Sequence, residues 1–408
     1  MKSIIYVPSL GYKNINDTAK QYAFRLMKAI DENAPEAQNT YRVETRELQY
    51  DHEGNSCEAI SLYETSDQNE IELYRIYEFA YSNFLTRRIS ESSMIVRIFT
   101  IFMILFTRSA SVVRSFFNRE EEVRLGNKFQ AVYFAAFFSF IALYFLALLA
   151  GLFLSVAQSI NTFLPAEAIA LLPDCLISIL DSAIAEIVTL STLPVFSLFM
   201  LFTSGKKKTV SDMAATYVAT HQYLSIGEQR NLIIGKLTKL IECIAEKTPT
   251  ESDLEIHSYS FGSVIALDVL FPVDGNANTR VAKNITQLIT IGCPFDFIEI
   301  YWKGYFSNRN FDNLELRNWF NVNAELDVLA SKFENRQYKQ KRFLNSDAFW
   351  NRFSNMDISY NIVNPERVSK FQALMFYGIR AHQMYWDQYN IDARSCLNPL
   401  VQRMSTAA

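Results

Sequence analysis

One serine lies at the centre of a short pattern that could support nucleophilic chemistry, Ser258-Tyr259-Ser260-Phe261-Gly262. An apolar, strand-like run precedes the pattern and a helix-like run follows it, which predicts a strand, a sharp turn with Ser260 at its apex, and a helix. Such a turn lifts the serine Oγ clear of the sheet and directs the next backbone N–H groups toward the same point. Glycine is usual where Ser258 stands. The pattern indicates a nucleophile at Ser260, with an ordinary strand-to-helix turn as the alternative.

A serine nucleophile needs a general base, and the chain offers four histidines: His52, His221, His257 and His382. When the serine lies on such a turn, the acid and then the histidine follow it in the chain, which leaves His382 as the base. His257 lies on the strand before the serine, and we interpret it as structural. His52 lies in a polar loop and His221 on an amphipathic stretch, so neither is expected to act in catalysis.

The third member of such a triad is an acid that orients the histidine. Residues 318–323 form a strand candidate, and Glu325 and Asp327 follow it. An acid just past the carboxyl end of a strand occupies the expected position, and we favour Asp327. Glu325 and Asp296, which follows the strand-like run 289–291, remain as alternatives.

Taken together, these segments resemble the α/β-hydrolase superfamily, and most closely its lipase-like and esterase-like members. Residues 319–330 are similar to the acid-bearing segment of that family, and residues 381–386 resemble the histidine segment of some bacterial members. The resemblance implies that Ser260 is the nucleophile, Asp327 the orienting acid and His382 the general base. It implies no metal and no organic cofactor.

The resemblance also extends to the amino terminus, where residues 2–7 form an apolar strand candidate. Members of the family carry a histidine-glycine turn after this strand, and a backbone N–H of that turn completes the oxyanion hole. Pro8-Ser9-Leu10 occupies the place here. The resemblance therefore implies that the N–H groups of Leu10 and Phe261 stabilise the oxyanion. The alternative is a first strand and loop without a catalytic role.

Composition limits the class of protein. A chain of 408 residues is long enough for one large domain with an insertion. The net charge of −4 gives no indication of a nucleic-acid partner. The five cysteines show neither paired spacing nor a metal-binding pattern, which favours reduced thiols in the cytoplasm.

Two long apolar runs, residues 131–157 and 187–203, predict transmembrane helices. Basic residues flank the pair, whereas the connection between the runs carries acids and no base, so the positive-inside rule places both flanks in the cytoplasm. For the second run, a re-entrant or interfacial segment is the alternative. A third apolar stretch, residues 94–107, is surrounded by arginines and predicts either an interfacial helix or a helix packed on the hydrolase domain.

The sequence therefore predicts an α/β-hydrolase-like, mostly parallel sheet flanked by helices and interrupted by a helical transmembrane insertion. Residues 1–65 and 210–408 would form the hydrolase domain, and residues 66–209 the insertion. We expect an integral protein of the inner or plasma membrane with its catalytic domain in the cytoplasm. It would cleave a carboxylic ester or thioester, with the lipid bilayer and an acyl ester or lipid as partners. The alternative is a non-catalytic membrane anchoring or signalling protein that retains the fold.

Overall fold

The computed structural model describes just over half of the sequence in detail, mostly before residue 87 and after residue 206. The described residues are 1–10, 18–33, 40–51, 54–66, 69–82, 84–86, 96, 100, 103–104, 107–108, 207–225, 227–247, 253–273, 275–311, 313–324, 326–333, 347–353, 356–360, 381–386 and 394–407. The chain divides into two compact units, of which the first comprises Met1–Arg87, Glu120–Tyr133 and Ala219–Ala408 and the second Arg88–Arg119 and Phe134–Val218. All the strands given below belong to the first unit.

An eight-stranded sheet forms the centre of the first unit, in the order β2-β3-β4-β1-β5-β6-β7-β8. The strands are β1 (Lys2–Val7), β2 (Thr40–Gln49), β3 (Ser56–Ser66), β4 (Asn69–Glu78), β5 (Leu254–Tyr259), β6 (Ile285–Ile291), β7 (Asn318–Ala324) and β8 (Asp357–Tyr360). β3 pairs antiparallel with both of its neighbours, and every other pairing is parallel. The predicted α/β class with a mostly parallel sheet is confirmed.

Helices cover both faces of this sheet. The helices of the chain with described bounds are α1 (Ala19–Asn33), α2 (Lys207–Ser225), α3 (Gly227–Lys247), α4 (Phe261–Leu270), α5 (Thr279–Asn284), α6 (Phe295–Tyr301), α7 (Asp347–Arg352) and α8 (Leu397–Ala407). On one face, α1 and α8 pack on each other and close an apolar core that includes Tyr22, Leu26, Ile289, Phe320 and Leu400. On the other face, α4 contacts β1 and β5, and α3 packs against α4. Because side chains alternate along each strand, the central strands bury both sets.

The burial of a strand's residues agrees with its position in the sheet. β5 lies at the centre and all six of its residues are buried. β2 lies at the edge and exposes much of its length, where Arg42, Glu44 and Arg46 form ion pairs. Charged side chains on an edge strand hinder pairing with another chain.

The structure corrects the predicted localisation. In the part of the chain that is described, no helix combines the length and the apolar character needed to cross a membrane. α3, the longest of these helices, shows the physical reason: it buries one stripe that includes Ile233 and Leu237, and it carries charged residues along the rest of its surface. By this finding, the predicted localisation as an integral membrane protein is wrong. The segments on which it rested, residues 131–157 and 187–203, lie outside the described residues, as does most of the stretch 94–107.

The predicted boundary of the first hydrolase segment also changes. The sheet continues past residue 65, because β4 runs to Glu78 and pairs with β1 in the centre of the sheet. β3 and β4 were not predicted as strands. The helix that follows β1 in the chain, α1, begins at Ala19 and ends at Asn33.

Candidate active site

Ser260 lies at the apex of the turn between β5 and α4. Its backbone has φ 55° and ψ −124°, and its N–H donates to the carbonyl of Ile291 at 2.8 Å. Positive φ is rare for a residue with a side chain, and Asn308 is the only other non-glycine example among the described residues. The chain accepts this conformation where it turns directly from a strand into a helix.

Gly262 is the residue that allows the turn to be so tight. A Cβ atom at this position would lie 2.3 Å from the carbonyl oxygen of Val7 and 2.5 Å from that of Pro8. Both distances are far below van der Waals contact, so only glycine fits. The absence of a side chain brings the end of β1 against the first turn of α4, beside Ser260.

Ser258 replaces the glycine that such turns usually carry, and its hydroxyl is accommodated by hydrogen bonds. The side chain is fully buried, and Oγ donates to the carbonyl of Ile289 at 2.9 Å. The hydroxyl also lies 3.2 Å from Oγ of Ser263. A buried hydroxyl with partners costs little, so the departure from glycine does not disturb the turn.

The structure brings Ser260, His382 and Asp327 together in one hydrogen-bonded row. Nε2 of His382 lies 2.6 Å from Oγ of Ser260, and Nδ1 lies 2.7 Å from Oδ2 of Asp327. An ionised carboxylate only accepts hydrogen bonds, so Nδ1 carries the proton and Nε2 is left to accept from the serine. An imidazole held in this way can remove the proton of the serine hydroxyl.

The carboxylate of Asp327 is buried in a turn after β7. Its Oδ1 accepts the N–H of Leu329 at 2.9 Å, and its own N–H donates to the carbonyl of Ala324 at 3.1 Å. These bonds fix the carboxylate so that Oδ2 faces His382.

Of the two alternative acids, Asp296 does not occupy this place. Asp296 lies in the first turn of α6, where it is buried and its backbone N–H bonds to Oγ of Ser331 at 2.7 Å. Glu325 lies outside the described residues. The oxygen that faces Nδ1 of His382 belongs to Asp327.

Two tyrosines that sequence reasoning missed also contact the row. The hydroxyl of Tyr259 donates to the carbonyl of His382 at 2.5 Å. The hydroxyl of Tyr385 accepts the N–H of Ala324 at 2.8 Å. Burial, and after it the charge of Asp327, raises the pKa of Tyr385 well above its ordinary value of 10, so that this phenol remains protonated. The only signal in the sequence was proximity: Tyr259 precedes Ser260, and Tyr385 follows His382 by three residues.

Gly292, which follows β6, provides space for the histidine. It has φ 59°, and a Cβ atom there would lie 3.2 Å from Cε1 of His382 and 3.0 Å from Cε2 of Tyr385. The N–H of Gly292 donates to the carbonyl of Val322 at 2.9 Å. Both the positive φ and the closeness of the two rings favour glycine. A glycine directly after an apolar strand was the only local signal.

The structure supports one of the two predicted oxyanion donors, Phe261, more directly than the other, Leu10. Phe261 is the first residue of α4, where backbone N–H groups have no partner inside the helix and the helix dipole favours negative charge. Leu10 follows Pro8 by two residues, in the segment that passes the first turn of α4 at Gly262. The contribution of Leu10 to an oxyanion hole stays a prediction.

The remaining histidines have other partners. His257 is fully buried on β5, where its ring nitrogens lie 2.5 Å from the hydroxyl of Tyr22 and 2.8 Å from Oε2 of Glu255. Burial alone would raise the pKa of Glu255, but its interactions with His257 and then with Lys2 outweigh burial, and the pKa is lowered. His221 lies 3.1 Å from the hydroxyl of Tyr301. His52 lies outside the described residues.

Comparisons of the chain with models of protein families, with curated proteins and with solved structures find no match.

Proposed function

We propose that this protein is a serine hydrolase of the α/β-hydrolase type that cleaves a carboxylic ester or thioester. The observation that carries the proposal is the row from Ser260 through His382 to Asp327, with distances of 2.6 and 2.7 Å, on a serine whose φ is 55°. A strained serine at a strand-to-helix turn, hydrogen-bonded to an oriented imidazole, is the arrangement that activates a hydroxyl nucleophile.

The topology supports the same function. The serine follows β5, the acid follows β7, and the histidine comes after β8 in the chain. β5 to β8 are all parallel, so their carboxyl ends lie at one edge of the sheet. Active sites of α/β proteins lie at this edge, and the order serine, acid, histidine is that of the α/β-hydrolases.

The reaction follows from the geometry. As Oγ of Ser260 attacks the acyl carbon, Nε2 of His382 takes the hydroxyl proton, and the carbonyl π electrons move to the oxygen. The N–H of Phe261, together with that of Leu10, stabilises this oxyanion. The imidazolium then gives its proton to the departing alkoxide or thiolate, which leaves an acyl-enzyme.

Water then releases the acyl group in a second pair of steps, in which water is the nucleophile and Oγ of Ser260 is the leaving group. His382 removes a proton from water as the water oxygen attacks the acyl-enzyme, and it returns that proton to Oγ of Ser260 as the ester bond breaks. Asp327 stays ionised throughout and stabilises the imidazolium. The products are a carboxylic acid and a free serine.

A fluorophosphonate probe tests the proposal, because it reacts with activated serines. We expect the wild-type protein to be labelled at Ser260, which peptide mass spectrometry identifies. Ser260→Ala should abolish labelling, and His382→Ala should slow it by several decades. Turnover of an ester substrate should fall on the order of a million-fold in each variant.

Ser405→Ala provides the matched control, because this exposed serine lies on α8 and bonds only to nearby backbone carbonyls. The control should be labelled as fast as the wild type. A folded wild-type protein that is neither labelled nor active on a soluble p-nitrophenyl ester would reject the proposal in favour of a non-catalytic protein that retains the fold.

A further inference from the structure

The three triad residues come from distant segments of the chain, and two tyrosine hydroxyls connect these segments. Tyr259 immediately precedes the nucleophile, and its hydroxyl donates to the backbone carbonyl of His382 at 2.5 Å. Its ring also lies nearly parallel to the imidazole, with 5.8 Å between ring centres and 18° between planes. This residue therefore ties the serine segment to the histidine segment.

Tyr385 makes the second connection. It lies three residues after His382, in the same turn. Its fully buried hydroxyl accepts the N–H of Ala324 at 2.8 Å, at the end of β7 and three residues before Asp327. After burial, the charge of Asp327 is the next cause that raises the pKa of this phenol. This residue therefore ties the histidine segment to the acid segment.

The rings of the histidine segment have little room to move. Tyr385 and His382 both pack against Gly292, so closely that a Cβ atom there would contact both rings within 3.2 Å. Tyr259 also meets Tyr385 edge to face, with 6.0 Å between ring centres. Two aromatic rings and one glycine thus pack against the imidazole.

We propose that Tyr259 and Tyr385 are positioning residues of the triad: each hydroxyl holds the His382 segment against one of its two catalytic partners. The inference rests on the proposed function. Neither hydroxyl is expected to touch the acyl group, because Tyr259 binds a backbone carbonyl and the fully buried Tyr385 binds the N–H of Ala324. Both act through His382.

The chemistry explains why such support is needed. During one turnover the imidazole takes a proton from the serine, gives it to the leaving group, and repeats both transfers with water. Each transfer requires hydrogen-bond distance, and a displacement of 1 Å costs about 100-fold in rate. His382 lies in a turn rather than in a strand, so no ladder of backbone hydrogen bonds to a neighbouring strand fixes its position.

Removing each hydroxyl alone tests the inference. Tyr259→Phe and Tyr385→Phe keep the aromatic packing and delete one hydrogen-bonding group each. We expect each variant to lower kcat roughly 10- to 100-fold with KM little changed, because transfers between His382 and its partners are impaired while substrate binding is not. The values of kcat are referred to the concentration of sites titrated with a fluorophosphonate, so that misfolded molecules do not contribute.

Tyr305→Phe is the matched control. Tyr305 is also a buried tyrosine, and its hydroxyl donates to the buried carboxylate of Asp268 at 2.6 Å. This pair belongs to the opposite end of α4 from Ser260. The control should lose stability comparable to that of the other variants and keep the wild-type kcat.

A double-mutant cycle separates positioning from a general structural role. If Tyr385 acts through Asp327, then Tyr385→Phe should cost much less in the Asp327→Asn background than in the wild type. Equal costs in the two backgrounds would overturn the role assigned to Tyr385. Wild-type kcat in both phenylalanine variants of an active enzyme would overturn the inference and leave the proposed function intact. A wild-type protein without labelling or activity would reject both.

Discussion

The carboxylate of Asp327 is held at both oxygens. One accepts the N–H of Leu329 and the other faces Nδ1 of His382, so the group has no freedom to rotate. A carboxylate fixed in this way holds the imidazole in the tautomer whose Nε2 accepts the proton of Ser260.

At this scale we predict the effect of removing the acid. Asp327→Ala should lower kcat for a soluble ester on the order of ten-thousand-fold, because the imidazole loses both its orientation and the charge that stabilises the imidazolium. Asp296→Asn, a change of a second buried acid near the same sheet edge, should retain most of the activity. Steady-state kinetics of the purified variants measure both effects. The opposite result, a tolerant Asp327 and an essential Asp296, would reassign the acid.

Elements position these residues through close backbone contact. The clearest case is the contact of β1 with the first turn of α4, where Gly262 lies against the carbonyls of Val7 and Pro8. The contact sets the distance between the strand that leads to Leu10 and the helix that begins at Phe261. Both predicted oxyanion donors therefore depend on one glycine.

The prediction at the scale of elements concerns this glycine. Gly262→Ala should lower the melting temperature and the activity together, since the new Cβ atom forces β1 and α4 apart. Gly235→Ala is the control: Gly235 lies within α3, with no atom within 4 Å of an added Cβ. That change should stabilise the protein by about 0.5–1 kcal/mol and leave kcat unchanged. Circular dichroism melting curves give the comparison, and an active, unaltered Gly262→Ala protein would contradict it.

How far the strands could be predicted depends on their residue pattern. β1, β5 and β7 contain apolar runs, which identified them in the sequence. β3 and β4 were missed because acidic residues such as Glu64 and Glu70 alternate with apolar ones along them. Tyr259, Tyr385 and Gly292 could not be recognised, because their roles arise from contacts between segments that are distant in the chain.

At the scale of the whole molecule, two buried thiols report on the two faces of the sheet. Burial raises the pKa of Cys57 on β3 to about 12 and also raises that of Cys396, which lies just before α8. The thiolate is the reactive form, so both residues should resist alkylation in the folded protein. Cys396 belongs to the core beneath α1 and α8, whereas Cys57 lies near Cys243 and Lys247 of α3, on the other face of the sheet. The same sheet joins both faces.

We therefore predict that Cys57 and Cys396 become reactive toward iodoacetamide at the same urea concentration. Pulse labelling followed by peptide mass spectrometry measures each thiol separately. Cys243, which is partly exposed on α3, serves as the control that reacts earlier. If Cys396 reacted well before Cys57, α8 would unfold independently of the sheet.

The place of β1 in the sheet has a consequence for how the protein folds. β1 is paired on one side with β4 and on the other with β5, where Ile5 lies opposite Ile256. The second pairing joins residues that are very far apart in the chain, and contacts of this kind form slowly. Until β5 arrives, the apolar edge of β1 is open to other chains, which favours aggregation. Recovery of active protein after denaturation should therefore depend more on the protein concentration during refolding than on the stability of the final fold.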